Sequence, residues 1–179
     1  YALLWRNVIL KADPDAPPTS EREAVLRLIT ERMNSEQRTS VPQSLFTASG
    51  THHLEPAVRW LASQGILIQG MTEWSFLHQT FLDYCYAKYF AERGRRLADT
   101  VLQGDQGLFA RAQIMQMLSY LRGTNPTTYI RELNGLLQAS TLRFHLRHLV
   151  LRWFGALPNP SDDEWVIARR MLLDPTKRP

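Results

Sequence analysis

A chain of 179 residues that is 44% hydrophobic can bury the core of one ordinary domain or two small ones, so disorder is not the default reading. A formal net charge of +4 permits an acidic or nucleic-acid partner without requiring one. A single cysteine, Cys85, excludes an intrachain disulfide and a zinc-type cysteine pair and points to a reducing, cytoplasmic setting, and no apolar run reaches the roughly 18 residues that a membrane-spanning helix needs.

The first stretch, "YALLWRNVILK", places Leu3, Leu4, Val8 and Ile9 at helical spacing. It starts inside that pattern, so the chain is expected to be a piece of a larger protein. "ADPDAPPTS" interrupts the helix, because consecutive prolines remove amide donors and disfavour helical geometry before them. Residues 1–19 are therefore expected as a connecting helix and Pro-rich linker. Ser20 with Glu23 has capping-box spacing, and Val25, Leu28, Ile29 and Met33 form the buried stripe of the helix that follows.

"SVPQSLFTASGTHHLEPAVRWLASQG" predicts two short helices with a turn at Ser49 and Gly50. Pro56 sits in the first turn of the second, Gly65 closes it, and Val58, Leu61 and Ala62 face inward. "ILIQGMTEWSF" then reads as a β-hairpin turning at Gly70. Helices followed by one small hairpin are the ingredients of a winged-helix domain, expected over 20–79.

From Thr80 onward no strand signal remains. Thr80 with Asp83 is expected to cap a connector helix, in a segment running over 80–96. Helical stretches near 107–122, 127–139, 142–155 and 162–173 follow, the last opened by Asp162, Asp163 and Glu164, which its dipole favours. Helices of this length joined by short turns suggest pairs stacked as a HEAT-like solenoid over 97–179. The expected fold class is mainly α: a winged-helix domain with one small β-hairpin, then an α-helical solenoid segment.

Chemistry-bearing motifs are sparse. The chain contains no phosphate-cradling "GxxxxGK[ST]", no "GxGxxG" and no "HExxH", so no catalytic residue and no enzyme activity are expected of it. His145 and His148 are spaced to share a metal, but no third ligand lies nearby; His52 and His53 are adjacent and point apart. No metal site is assigned. Cys85, between Tyr84 and Tyr86, reads as a buried filler with no basic neighbour to stabilise a thiolate. The basic spots "RGRR" and "RFHLRHLVLR" read as solvated faces and helix-end charges.

DNA reading by the winged helix would rest on Arg59 and Gln64 alone, with Glu55 repelling phosphates and no Lys or Arg in the wing "QGMTEW". The helix after the wing carries Phe81, Leu82, Tyr84, Cys85, Tyr86, Tyr89 and Phe90 around its circumference, where an amphipathic surface helix would be half polar. It reads as a packed connector able to carry movement of one part into the next. His78 stands where the wing ends and this helix begins. Composition alone makes it a locally hydrogen-bonded structural histidine.

The stretch "ILIQGMTEWSFLHQTFLDYCYAKYF" resembles the winged-helix segment of NACHT-type STAND signalling ATPases, whose pattern is an aliphatic strand, a short turn, then Phe-x-His-x-x-Phe-Gln-Glu-Tyr-Leu-Ala-Ala. Phe76, His78, Phe81, Tyr84 and Ala87 fall on the matching positions, while Leu82, Asp83, Cys85 and Tyr86 depart from it. The resemblance covers residues 1–95 in layout and is specific over 65–91. It implies that His78 contacts a phosphate of ADP held on an upstream nucleotide-binding domain, coupling winged-helix position to nucleotide state. It further implies ATP or ADP with magnesium in the full-length protein, none of them bound by this segment alone, and a helical array that meets a ligand or protein, with oligomerisation on activation. Signal transduction or bacterial defence is the implied setting. A winged-helix DNA-binding transcriptional regulator with a helical effector or dimerisation region is the alternative, and a purely structural helical scaffold the third reading.

Overall fold

In a computed structural model, residues 1–104 and 106–173 are described. The protein is mainly helical with a small antiparallel sheet, and it divides into two compact units, Tyr1–Tyr89 and Phe90–Pro179.

The first unit opens with α1 (Ala2–Leu4), which runs on as a π-helical turn, Trp5–Ile9. The wider turn, closed by Leu10 N–H donating to the Trp5 carbonyl, brings Trp5 and Ile9 into the core, while Leu3 stays exposed. Residues 1–19 thus pack with the winged-helix region in one unit. The Pro-rich break ends at α2 (Thr19–Glu36), whose capping residue is Pro18. The capping box expected of Ser20 and Glu23 does not form, because the helix already begins at Thr19 and no side chain caps it. Arg22 explains the geometry there instead. Its buried guanidinium donates to the carbonyls of Val8 (2.9 Å) and Lys11 (3.0 Å) and to the Thr19 hydroxyl (2.8 Å), closing the open end of the first helical segment. It also lies over the Trp60 ring at 4.9 Å.

α2 ends in a left-handed residue, Gln37 (φ 54°), with the Arg38 N–H reaching back to the Met33 carbonyl at 3.0 Å. β1 (Ser40–Pro42) follows, a strand the sequence reading did not anticipate. Two 3₁₀ turns, Gln43–Phe46 and His52–Leu54, flank the turn around Ser49 and Gly50. They lead into α3 (Glu55–Ser63), with Pro56 in its first turn and Gly65 (φ +69°) at its close, as the sequence indicated. β2 (Leu67–Gln69) and β3 (Glu73–Phe76) make the hairpin, in register Leu67↔Phe76. β1 pairs antiparallel with the other edge of β3, Val41↔Trp74, giving a three-stranded sheet of order β1-β3-β2. The hairpin is thus part of a larger sheet than expected, in the helix, strand, helix, hairpin order of a winged helix. Val25, Ile29, Val41, Leu61, Leu67 and Trp74 share its core.

α4 (Gln79–Glu92) begins one residue before Thr80 and runs unbroken past Tyr89 into the second unit. Thr80 and Asp83 do not form the expected cap. The Thr80 hydroxyl meets that of Tyr1, and the Asp83 carboxyl is hydrogen-bonded by the Gln79 side chain.

The second unit contains α5 (Leu97–Gln103), too short to show periodicity and absent from the sequence reading. α6 (Leu108–Thr124), α7 (Pro126–Gln138), α8 (Phe144–Gly155) and α9 (Asp162–Leu173) match the expected stretches within two residues. Each helix from α5 to α7 packs against the next but one, the contact pattern of a two-layered helical array. Two buried carboxylates fix it. Glu132 of α7 caps α5, accepting from the N–H groups of Leu97 (2.8 Å) and Ala98 (3.4 Å). Glu164 opens α9 in a true capping box with Ser161, and also accepts from Arg122 of α6 and Tyr129 of α7.

Candidate functional site

The motif carried by residues 76–87 folds so that its apolar members turn inward. Phe76, Phe81 and Ala87 are buried and Tyr84 is half-buried, with the Phe76 and Phe81 ring centres 6.0 Å apart and Phe81 stacked on Tyr84 at 6.0 Å. The N-terminal segment completes the cluster, Trp5 lying 6.1 Å from Tyr84 and 6.0 Å from Tyr89. Burial on this scale, with tilted and edge-on ring pairs, holds the first turns of α4 against the rest of the unit.

His78 sits in the two-residue step between β3 and α4. Its own carbonyl accepts the Phe81 N–H at 2.9 Å and the Leu82 N–H at 3.3 Å, so its backbone opens α4. Its neighbour Leu77 is tied back to the sheet by an N–H bond to the Ile66 carbonyl at 3.0 Å. The backbone on both sides of the histidine is therefore fixed. The ring itself is exposed and makes no hydrogen bond or ion pair to a described residue. The locally bonded structural histidine that composition favours is not what the fold builds: the imidazole is held at the surface with both nitrogens open to a partner. Five residues on, burial pushes the Asp83 carboxyl above its ordinary range, with the Gln79 hydrogen bond opposing.

Other candidates are resolved differently. Cys85 is fully buried, and burial pushes its thiol far above the usual range, with Lys88 opposing. His145 and His148 do not converge: one ring nitrogen of His145 lies 3.1 Å from the Gln106 carbonyl, while the His148 ring stacks on Phe144 at 6.1 Å. His52 faces Glu55 at 3.4 Å and His53 is exposed. Among the described residues no group of three His, Cys, Asp or Glu side chains could hold a metal ion, and no described helix is long and apolar enough to cross a membrane.

On α3, the side chain that would read DNA is occupied. Arg59 donates twice to one Glu55 oxygen, at 3.1 and 2.7 Å, and this hydrogen bond holds the Glu55 carboxyl below its usual range. Acidic residues slightly outnumber basic ones in residues 1–89, so the positive charge of the chain resides in residues 90–179. Arg22 and Glu132 escaped the sequence reading, and Glu164 was read only as one of three acids at a helix start; the burial of all three depends on partners outside their own turn of helix, and only the Ser161-x-x-Glu164 spacing was available as a further signal.

Comparison with known proteins adds no family: no family model matches the chain, and neither a curated protein nor a solved structure does.

Proposed function

We propose that this chain is the regulatory segment of a NACHT-type STAND ATPase, coupling the nucleotide state of an upstream ATPase domain to a helical sensor array. The observation that carries the reading is His78, exposed without a local partner at the head of α4 while the other matching motif positions turn into the core. A histidine fixed in this way is free to donate a hydrogen bond to a nucleotide phosphate presented by a neighbouring domain. α4 is the covalent route onward, since it continues without a break into the helical unit. The ATP or ADP and magnesium belong to the upstream domain, and the array would meet the activating ligand or protein, with oligomerisation following activation in the cytoplasm. The resting state is the ADP-bound one, and the segment itself hydrolyses nothing.

A hydrogen bond to a charged phosphate contributes about 1 to 3 kcal/mol net. His78→Ala in the intact protein should therefore speed ADP release roughly 5- to 150-fold and raise basal signalling. Release of a fluorescent ADP analogue measures this; unchanged release and unchanged signalling would sink the role. The DNA-binding alternative draws less support from Arg59, held by Glu55, and from a wing that lacks Lys and Arg. Tight, salt-sensitive binding of random duplex DNA to this chain would reverse the ranking.

A further inference from the structure

We propose that the pocket where the end of α4 meets α6 and α7 is a binding site for a small organic anion, a phosphate or carboxylate head group on a compact apolar body. All of its lining residues belong to the second unit, so the site does not depend on the His78 reading. The pocket has a volume of about 450 Å³, within the range that small-molecule sites occupy. The chain leaves α4 through Gly94, whose backbone is left-handed (φ +64°), and the next residue, Arg95, lines the pocket together with Thr128 and Arg131 of α7. Phe90 of α4 and Leu121 of α6, both buried, give it an apolar wall, to which Tyr120 adds a half-buried ring.

The polar side of the pocket has donors left over while its carboxylate and amide acceptors are engaged. Glu132 has both oxygens occupied, one by the N–H groups of Leu97 (2.8 Å) and Ala98 (3.4 Å) and the other by two nitrogens of Arg131, each at 2.9 Å. The Asn125 side-chain oxygen accepts the Thr128 N–H at 3.1 Å. Glu92, exposed, already has a partner. What remains open is the Arg95 guanidinium, which makes no hydrogen bond or ion pair to a described residue, with the Asn125 amide nitrogen, the Thr128 hydroxyl and the Arg131 N–H groups that Glu132 does not take.

That inventory selects the ligand. The formal charges of Arg95, Arg131, Glu92 and Glu132 sum to zero, but their arrangement is not neutral. Arg131 and Glu132 satisfy each other in direct contact, whereas Arg95 is paired with neither carboxylate and stays open to an incoming anion. An acceptor-rich head group meets a charged fork and two neutral donors there, and charge-assisted hydrogen bonds of this kind are the strong ones. A cation would meet the same guanidinium as repulsion. Phe90, Leu121 and the Tyr120 ring then favour an apolar body behind the head group over a bare inorganic ion.

The test titrates the 179-residue chain by calorimetry with phenyl phosphate, benzoate, inorganic phosphate and benzylamine. At least one of the two aromatic anions should bind in the millimolar range or tighter, and the preferred one identifies the head group. Inorganic phosphate and benzylamine should both bind more weakly than that anion. Arg95→Ala, at an exposed position outside any helix, should weaken the preferred anion about tenfold or more, while Arg143→Ala on α8 should leave it unchanged. Absence of binding by both aromatic anions, equal binding of benzylamine, or binding untouched by Arg95→Ala overturns the proposal. So does an equal loss in Arg95→Ala and Arg143→Ala, since the anion would then be held by the general positive charge of the surface.

Discussion

Glu164→Gln should cost the helical unit about 3 kcal/mol and remove much of its acid sensitivity. Burial alone would raise the Glu164 carboxyl, but the paired bonds from Arg122 (2.8 and 3.1 Å), the Tyr129 hydroxyl (2.7 Å) and the Ser161 N–H (2.7 Å) outweigh it and hold the group down to about 2 from 4.5. A depression of that size corresponds to about 3 kcal/mol of stability at neutral pH. Because the folded-state value lies below the unfolded one, this contribution is complete above the unfolded pKa and is lost as pH falls from about 5 towards 2. A glutamine keeps the shape but presents an amide donor where donors already converge. The same network loses its ion pair, and Arg122 keeps only the carbonyls of Pro158 and Asn159. For a unit of this size the thermal midpoint should fall by on the order of 15 °C at pH 7. Hydrogen exchange read by mass spectrometry separates α6, α7 and α9 from the winged-helix unit, and urea melts between pH 7 and pH 2.5 give the pH profile. Parallel loss of stability in the native protein and the variant across that range would refute the reasoning.

Three further outcomes follow from the same kind of argument. Arg22→Met removes two hydrogen bonds to the first segment, at Val8 and Lys11, and one to Thr19 of its own helix, and should cost about 2 to 4 kcal/mol in urea unfolding, with faster exchange over residues 2–11 than elsewhere. Cys85, buried and with its thiol pushed up, should resist Ellman's reagent at pH 8 until denaturant is added; prompt labelling of the folded chain would contradict its packing. Gly65→Ala should cost about 1 kcal/mol through its left-handed backbone (φ +69°) alone, since an added methyl meets nothing closer than Leu77 Cδ2 at 3.8 Å.

Residues whose signals are local were legible in the sequence. Gly65 closes α3 and Pro56 opens it because only those backbones suit the two positions, and both effects act within one turn. The hairpin around Gly70 and the stripe through Val25, Ile29 and Met33 likewise follow from period and turn chemistry, although Leu28 of that stripe is only partly buried and Leu26 is fully buried. The motif positions of the candidate site could be aligned residue by residue. Whether His78 bonds locally could not, since that depends on where the flanking backbone is anchored.

Tertiary structure decided what depends on distant neighbours. β1 has only three residues, one of them proline, and exists because β3 offers it a free edge. Arg22, Glu132 and Glu164 have the composition of surface residues. They are buried because carbonyls or helix ends elsewhere in the fold leave polar groups that only they can satisfy. The failed capping box at Ser20 and the one formed at Ser161 share the same spacing, and the difference is where the surrounding packing lets each helix begin. Sequence alone determined the order of the longer helices and the hairpin, because propensity and periodicity act over a few residues. The placement of the buried charges and the open face of His78 came from packing, because each depends on residues beyond its own turn of the chain.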